Sequence, residues 1–249
     1  LIHDDIMDEA PLRRGKETVH KKWDLNTGIL SGDAMLILAY QYFENYEPKI
    51  FQKLAQLFSK TALEVCDGQQ LDIDFETRND VTIPEYIKMI SLKTSVLVAA
   101  ALKMGAIVSE ANETEANQLY NYGLNLGIAF QLQDDYLDTF GNQETFGKQV
   151  GGDIIENKKT FLYLKTLELS NKEDNLKLLD LFNQKPSDNS QKIETVKEIF
   201  IKNNIPSIIK EEIIKYTNKA FECLNKMTIS KDEKEKLILF GRALMSRDV

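Results

Sequence analysis

The segment LNLGIAFQLQDDYLD, residues 124–138, decides how the 249-residue chain is interpreted. A polar stripe crosses it with the helical spacing i, i+3, i+4, i+7: Gln131, Asp134, Asp135 and Asp138. Its other residues are mostly apolar, whereas a surface helix carries one apolar stripe on a polar background. Because burying three unpaired carboxylates costs too much free energy, the segment predicts a helix whose aspartates are neutralised by metal ions or cations.

Apolar residues recur with helical spacing along nearly the whole chain. After a polar loop at 11–28 we expect a long helix at 29–46, and then a break at Glu47-Pro48. Thr82 and Pro84 suit the start of a helix that runs to about Val108. Further helices are expected at 113–138 and, after a loop at 142–156, as four or five shorter ones. No strand alternation of useful length occurs, so the sequence predicts one all-α domain over residues 1–249.

Composition argues against some partners. With 31 Lys and Arg against 39 Asp and Glu, the net charge is −8, which disfavours nucleic acid. No uninterrupted run of about 18 apolar residues occurs, so we expect no transmembrane segment. Cys66 and Cys223 lack CxxC spacing, so we expect both to be buried free thiols. Free thiols favour a reducing compartment, and we expect the cytoplasm.

The motif DDxxD occurs twice, at 4–8 and at 134–138. Three carboxylates on one helical turn repel each other unless a cation bridges them. Ligand sets made only of oxygen favour Mg²⁺ or Ca²⁺ over zinc, and Mg²⁺ is usually shared between a few carboxylates and substrate phosphates. Two such turns therefore suggest a diphosphate held between helices.

Cations accompany both motifs. Arg13-Arg14 follows the first, and guanidinium forks suit phosphate oxygens. Lys93 has only apolar helix neighbours at ±3 and ±4, so its ammonium either reaches outward to solvent or faces a buried anion; Thr94 beside it favours the anion. Glycines and lysines follow the second motif, at 147–148 and 151–159, although their spacing is not that of a P-loop.

In this order the motifs resemble those of the trans-isoprenyl diphosphate synthase family, also called polyprenyl synthetases, in particular its farnesyl and geranylgeranyl diphosphate synthases. The likeness covers nearly the whole chain. It rests on Asp4–Asp8 with Arg13-Arg14-Gly15, Gly68-Gln69-Gln70-Leu71-Asp72, Lys93-Thr94, Phe130–Asp138, Gly147-Lys148 through Gly151-Gly152-Asp153 to Lys158, and Arg247-Asp248.

The resemblance implies an isoprenoid synthase-type helical bundle around a central active-site cavity, usually as a homodimer. It implies that isopentenyl diphosphate is condensed with dimethylallyl, geranyl or farnesyl diphosphate. The product would be a longer all-trans polyprenyl diphosphate, here of short chain (farnesyl or geranylgeranyl). The implied cofactor is Mg²⁺, as several ions that bridge the allylic diphosphate.

Residue roles follow from the resemblance by position. Mg²⁺ would bind Asp4, Asp5, Asp8, Asp134 and Asp135, and Asp138 would support that cluster through water or an indirect contact. The allylic diphosphate would bind Arg13, Lys93, Lys148 and Lys158, and isopentenyl diphosphate would bind Arg14. Gln131 and Thr94 would line the reacting carbons and steady the carbocation, which makes the implied catalytic set Lys93, Thr94, Gln131 and Lys148.

One departure from the family and two alternatives bear on this interpretation. The upstream Gly-Lys-Arg segment that binds isopentenyl diphosphate does not occur, nor do the residues before the first motif that limit product length. We therefore expect N-terminal helices to be missing from the chain. A class I terpene cyclase pairs one DDxxD with an Asn/Ser/Glu metal motif, and a non-catalytic subunit of a heteromeric synthase usually loses aspartates or lysines. The second DDxxD and the retained cations favour the synthase.

Overall fold

The structure, a computed structural model, describes residues 1–141 and 150–246. Over those residues the regular structure is almost entirely helical, which confirms the predicted all-α class. The strands described, β1 (Leu12–Arg13) and β2 (Lys16–Glu17), form one short antiparallel hairpin. The chain divides into two compact units, Leu1–Ser59 and Lys60–Val249, and each is described by itself.

The first unit contains three helices and the beginning of a fourth: α1 (Ile2–Met7), α2 (Val19–Lys22), α3 (Leu25–Phe43) and α4 (Pro48–Thr77), which continues into the second unit. The predicted loop at 11–28 is wrong in part, because it contains the hairpin, α2 and the start of α3. Asp24 caps α3 by accepting a 2.7 Å hydrogen bond from the backbone N–H of Thr27. The break at Glu47-Pro48 is confirmed by the start of α4.

Two helices of the first unit are held together by aromatic side chains. The rings of Tyr40 and Phe43 both meet Phe58 edge to face, with centroids 4.9 and 5.4 Å apart. The Tyr40 hydroxyl also lies 2.6 Å from the Ser59 hydroxyl oxygen. These contacts pack the end of α3 against the first three turns of α4 and so hold the two helices together as a hairpin.

The second unit begins within α4 and contains the longest run of helices. In chain order these are α5 (Ile83–Ile90), a π-helical segment (Ser91–Ser95), α6 (Val96–Val108), α7 (Glu113–Phe140), α8 (Gly152–Ile155), α9 (Phe161–Leu169), α10 (Lys172–Phe182), α11 (Ser190–Lys202), α12 (Ile205–Asn225) and α13 (Lys231–Met245).

Helix boundaries in this unit follow the predicted signals closely. Thr82 and Glu85 form a capping box before α5, and Pro84 lies in its first turn, as expected. The helix predicted to reach Val108 is continuous, but the π-helical segment interrupts its α-helical hydrogen bonding. The loop predicted at 142–156 is wrong where α8 forms, and residues 142–149 lie outside the described residues.

α7 passes through the core of the second unit and contributes to two apolar clusters. Leu132 lies in the larger cluster, with residues of α5 and α8–α12. Tyr122 and Leu126 lie in the smaller one, with the end of α12, and the Tyr122 hydroxyl donates to the Leu237 carbonyl on α13 at 2.7 Å. The residues of α7 from Tyr122 to Phe140 are all buried or half-buried, so polar side chains in this part of the helix are costly unless they are paired.

Two other expectations meet different outcomes. Cys223 is buried and Cys66 is exposed, so the prediction of two buried thiols is wrong for Cys66; both are free. The helical stretch Ile83–Val108 is long and apolar enough to cross a membrane, by length and composition only, and core helices of globular proteins meet the same criteria. The expectation of no transmembrane segment therefore stays a prediction.

Candidate active site

The second acidic motif lies in the last turns of α7. Asn112 caps this 28-residue helix by accepting from the backbone N–H of Glu115, and the helix ends before Gly141. Asp135 is 3% exposed and Asp138 9% exposed. The predicted helix occurs, and two of the three aspartates of the predicted stripe are buried, whereas Asp134 is half-buried.

Asp135 receives neutral hydrogen-bond donors on both carboxylate oxygens. The buried Tyr86 hydroxyl donates to Oδ2, and the Gln131 amide donates to Oδ1 at 3.2 Å. The pKa of the Asp135 carboxyl is raised to about 7. Burial is the largest cause and the charges of Asp134 and Asp138 also raise the pKa, whereas the two donors lower it. Without a cation this carboxylate carries its charge at a cost.

A fourth carboxylate joins the stripe from α8. The backbone N–H of Asp153 donates to Asp138 Oδ2 at 3.0 Å, and Gly151 N–H donates to the Asp138 carbonyl at 2.6 Å. Burial and then the charges of Asp138 and Asp135 raise the pKa of the Asp153 carboxyl well above its usual value. The sequence analysis included Asp153 in the Gly-Gly-Asp motif but gave it no role. The two glycines before it were the sequence signal for a tight turn here, and Gly151 does adopt a left-handed φ of +86°.

The π-helical segment presents Lys93 and Thr94, and two glycines allow it to lie close to its neighbours. A side chain at Gly68 of α4 would collide with the Lys93 backbone nitrogen, and a Cβ at Gly127 of α7 would lie 2.6 Å from Ser95 Cα. This close approach brings the Thr94 hydroxyl to 3.3 Å from Gln131 Oε1, to which it donates. Thr94 and Gln131, two predicted site residues, are therefore in contact, and Gln131 links Thr94 to Asp135.

Lys93 has a carboxylate partner in the same unit. Its ammonium donates to Asp72 Oδ2 at 2.6 Å, one turn after Gly68 on α4. Asp72 belongs to the Gly68–Asp72 motif, yet the sequence interpretation gave it no role. The lysine in the apolar stripe therefore faces an anion supplied by the protein itself.

Lys158 lies in the loop after α8, with Glu156 Oε2 2.9 Å from its ammonium. Burial lowers the pKa of this lysine, but the charges of Asp153, Glu156 and Asp72 outweigh burial and raise it above its usual value. Its side chain therefore stays charged close to the acidic end of α7. Lys148, predicted to bind the same ligand, and the Arg247-Asp248 pair lie outside the described residues.

The first acidic motif occupies α1 and its C-cap in the first unit. Asp5 is buried, whereas Asp8 is exposed. The Arg13 guanidinium donates to Asp5 Oδ1 at 2.6 Å and to Asp4 Oδ2 at 3.2 Å, and the hydrogen bond with Asp5 raises the pKa of Arg13. Arg14 is exposed at the turn of the hairpin, where its φ is +53°.

No group of three His, Cys, Asp or Glu side chains is arranged to hold a metal ion by itself in residues 1–141 and 150–246. The oxygen donors of α7 nonetheless suit a hard cation, because Mg²⁺ binds few carboxylates and completes its octahedron with water and phosphate oxygens. Asp135 and Asp153 have pKa values raised by burial and by the charges of neighbouring carboxylates, an effect that a bound cation would relieve. These residues therefore fit a divalent cation shared with a ligand.

Comparison with known proteins agrees with this geometry. The family model for polyprenyl synthetase matches residues 1–199. A geranylfarnesyl diphosphate synthase of Natronomonas pharaonis is 44% identical over 166 residues, which are 66% of this chain and 49% of that protein. A geranylgeranyl diphosphate synthase of Saccharolobus solfataricus is 35% identical over 244 residues, 96% of this chain and 73% of that protein.

A solved structure agrees as well. The crystal structure of a geranylgeranyl pyrophosphate synthase superposes with a TM-score of 0.95 at 53% identity, and the match covers 100% of this chain and 77% of that one. The chain spans about half the length of the first curated relatives that it matches. Its all-helical fold is the fold of isoprenyl synthases, and the chain belongs to the polyprenyl synthetase family.

Proposed function

We propose that the chain catalyses the condensation of isopentenyl diphosphate with an allylic diphosphate to give a short-chain, all-trans polyprenyl diphosphate. The observation that carries the proposal is the buried acidic end of α7, where Asp135, Asp138 and Asp153 adjoin Lys158. Membership of the polyprenyl synthetase family supports it, as do relatives named geranylgeranyl diphosphate synthase.

In this proposal each side chain has a defined role. Asp4, Asp5, Asp8, Asp134 and Asp135 hold Mg²⁺, with Asp138 in support, and bound Mg²⁺ supplies positive charge that stabilises the departing diphosphate. Arg13, Lys93, Lys148 and Lys158 bind the allylic diphosphate, and Arg14 binds isopentenyl diphosphate. Three of these cations, Arg13, Lys93 and Lys158, contact carboxylates of the chain. Each must therefore exchange that carboxylate for the diphosphate, or share itself between them, when the allylic substrate binds.

The reaction itself needs little acid–base chemistry from the protein. The allylic C–O bond breaks, the isopentenyl double bond attacks the resulting carbocation, and the departing diphosphate takes the proton lost from the new chain. In this proposal Gln131 and Thr94, which hydrogen-bond each other at 3.3 Å, line the reacting carbons and steady the cation. Surrounding apolar side chains exclude water that would quench it.

The test is a product assay with the protein, Mg²⁺, labelled isopentenyl diphosphate and each allylic diphosphate in turn. We expect elongated products of farnesyl or geranylgeranyl length with at least one allylic partner, and none after chelation of Mg²⁺. Absence of elongated product with every partner contradicts the proposal. A cyclic hydrocarbon formed without isopentenyl diphosphate would instead indicate a terpene cyclase.

We also propose that the protein is a homodimer, as the resemblance implies, and that the two copies pair through α3. α3 has a broad exposed apolar surface with only one charged residue, Asp33, so a second copy of the same surface would be complementary to it. The exposed residues are Leu25, Ile29, Leu30, Met35, Leu36, Ile37, Leu38 and Tyr42. Light scattering should give twice the chain mass, and Ile37→Asp should give the monomer mass, whereas Ile201→Asp on α11 should not. A monomeric wild type contradicts this proposal.

A cytoplasmic location is the last part of the proposal. The two free cysteines support it, because thiols persist in reducing compartments. Fractionation of cells that express the protein should recover it with cytoplasmic markers, and recovery with membranes would contradict the proposal.

A further inference from the structure

Lys159, the residue after Lys158, fastens its loop to the end of α4. Its ammonium donates to the backbone carbonyls of Phe75 at 2.7 Å and Glu76 at 3.2 Å, and to that of Arg78. These carbonyls belong to the last turn of α4 and the residue beyond it, where helices leave acceptors without backbone partners. A lysine at this place also interacts favourably with the helix dipole.

Asn157, the residue before Lys158, is fastened from the other side by Lys192 of α11. The Lys192 ammonium donates to Asn157 Oδ1 and, at 3.0 Å, to the Gln184 carbonyl. Asn157 has φ +59°, and its own amide donates to the Gln184 carbonyl at 3.3 Å. The loop therefore keeps a left-handed turn that few residues adopt.

Lys192 holds the loop at the cost of burying an ammonium group. It is only 4% exposed, and its hydrogen-bond acceptors in the described part of the chain are an amide and a carbonyl oxygen. Burial lowers its pKa, with a smaller contribution from Lys185. Because an apolar side chain would fill this site without the desolvation cost, its presence points to the geometry of Asn157 as the gain.

The two fastenings determine where Lys158 lies relative to its charged neighbours. The last turn of α4, which Lys159 holds, follows Asp72 by one turn, and Asp72 pairs with Lys93 at 2.6 Å. Asp72 also acts on the charge of Lys158. Lys159 therefore links the loop of Lys158 to the helix that positions Lys93.

We infer that Lys159 and Lys192 are positioning residues, which hold Lys158 on its two sides so that its ammonium and that of Lys93 bind one allylic diphosphate. Neither lysine needs to touch the substrate. This inference rests on the function proposed above and deepens it, since it names the residues that preorganise the diphosphate site.

The experiment measures Mg²⁺-dependent binding of inorganic pyrophosphate by calorimetry, and KM for each substrate, in the wild type and four variants. We expect Lys159→Met to weaken pyrophosphate binding and to raise KM for the allylic diphosphate by about tenfold each, the scale of one charge-assisted interaction. KM for isopentenyl diphosphate should not change. Lys159→Arg should restore most of the loss, because a guanidinium can also donate to the α4 carbonyls.

Asn157→Gly tests the second fastening gently, since glycine adopts positive φ without strain while it removes the amide that Lys192 holds. It should weaken pyrophosphate binding several-fold. Lys165→Met on α9, whose lysine contacts only Glu168 among its described ion pairs, is the matched control and should bind as the wild type does.

A fall in thermal stability of Lys159→Met and Asn157→Gly with wild-type pyrophosphate affinity and allylic KM would overturn the inference, because both residues would then be merely structural. If the wild type elongates prenyl chains while these variants behave like it, only the inference fails. If the wild type neither binds pyrophosphate nor elongates, the proposed function fails as well.

Discussion

The two DDxxD motifs share a sequence pattern but lie in different surroundings. In the first unit Asp5 is neutralised by a guanidinium, with Arg13 2.6 Å away, and Asp8 is exposed. In the second unit Asp135 is buried, and among the described residues its two oxygens accept from neutral donors, Tyr86 and Gln131. The first motif therefore carries a counter-charge beside Asp5, whereas in the second motif burial and neighbouring carboxylates raise the pKa of Asp135, a cost that a bound metal ion would reduce.

The glycines around the two motifs differ in the same sense. In the first unit a Cβ at Gly32 would meet the His3 ring, and a Cβ at Gly28 would meet the end of the Ile6 side chain. In the second unit the nearest atom that a Cβ would meet belongs to the backbone at both positions, to Lys93 for Gly68 and to Ser95 for Gly127. Side chains can move aside but helix backbones cannot, so the second motif lies in the more rigid region.

The largest expected effect is on catalysis by the second motif. Asp134→Ala should lower the rate of prenyl transfer by about three orders of magnitude, the scale of losing preorganised charge stabilisation. Asp8→Ala should lower it by only about tenfold, because water can replace an exposed carboxylate as a Mg²⁺ ligand. The assay is steady-state elongation at saturating Mg²⁺.

Asp232→Ala, an exposed acidic residue in the first turn of α13, is the control for both and should retain wild-type rates. Equal losses at Asp134 and Asp8 would remove the functional contrast between the motifs. A near-normal rate for Asp134→Ala would remove that residue from the metal site.

Alanine at the glycines tests the difference in rigidity. Gly68→Ala should lower the free energy of unfolding by about 3 kcal/mol, because the helix backbones must separate, and Gly32→Ala by about 1 kcal/mol, because the His3 ring can turn away. Denaturant titration measures both. A smaller loss at Gly68 than at Gly32 would show that the α4 contact is the softer one.

Neutralising one carboxylate should have opposite effects in the two motifs. In the metal-free protein at neutral pH, Asp5→Asn should lower the free energy of unfolding by about 2 kcal/mol, since it removes the charge of the nearer of the two carboxylates that Arg13 contacts. Asp135→Asn should raise it by about 1 kcal/mol, since it removes a buried charge. A loss of stability in both variants would contradict the contrast.

The pH dependence has a definite sign. Because the pKa of Asp135 is raised to about 7, the folded protein retains a proton that the unfolded chain releases near pH 4. The stability of the metal-free wild type should therefore fall as the pH rises from 4 to 7. Asp135→Asn should flatten that slope, as thermal unfolding at successive pH values would show.

The smallest expected effect provides the reference for the glycine series. A Cβ at Gly105, in the last turn of α6, would meet nothing within 4 Å. Gly105→Ala should raise the free energy of unfolding by about 0.5–1 kcal/mol through helix propensity alone. If Gly105→Ala instead lowered the free energy of unfolding, the losses measured for Gly68→Ala and Gly32→Ala would include a general cost of replacing glycine.

The sequence allowed the helices to be predicted where local signals act alone. Thr82 with Glu85 and Pro84, and the break at Pro48, each depend on backbone chemistry within a few residues. The start of α3 was placed at Ile29, four residues late, because the cap Asp24 precedes a polar first turn that resembles a loop. The hairpin before it depends on left-handed residues at Arg14 and Gly15, which composition alone does not reveal.

The candidate site could be predicted as a set of residues but not as a set of contacts. The i, i+3, i+4, i+7 stripe identified Asp135, and its environment matched the prediction of a buried acid. The partners of Arg13 and Lys93, namely Asp5 and Asp72, depend on packing between segments far apart in the chain. Lys159 was noticed only as part of the lysine segment after the second motif, and Lys192 was not noticed, because the sequence around a lysine does not show whether its ammonium meets a backbone carbonyl or solvent.

The π-helical segment Ser91–Ser95 has a consequence for the angular relation of the two helices that it joins. An α-helix advances by about 100° per residue, so one surplus residue in a turn rotates everything after it by that angle. The apolar faces of α5 and α6 are therefore out of phase, and each can be directed at a different neighbour although their axes are continuous. Deletion of one residue here would bring the two faces back into phase and turn Thr94 away from Gln131.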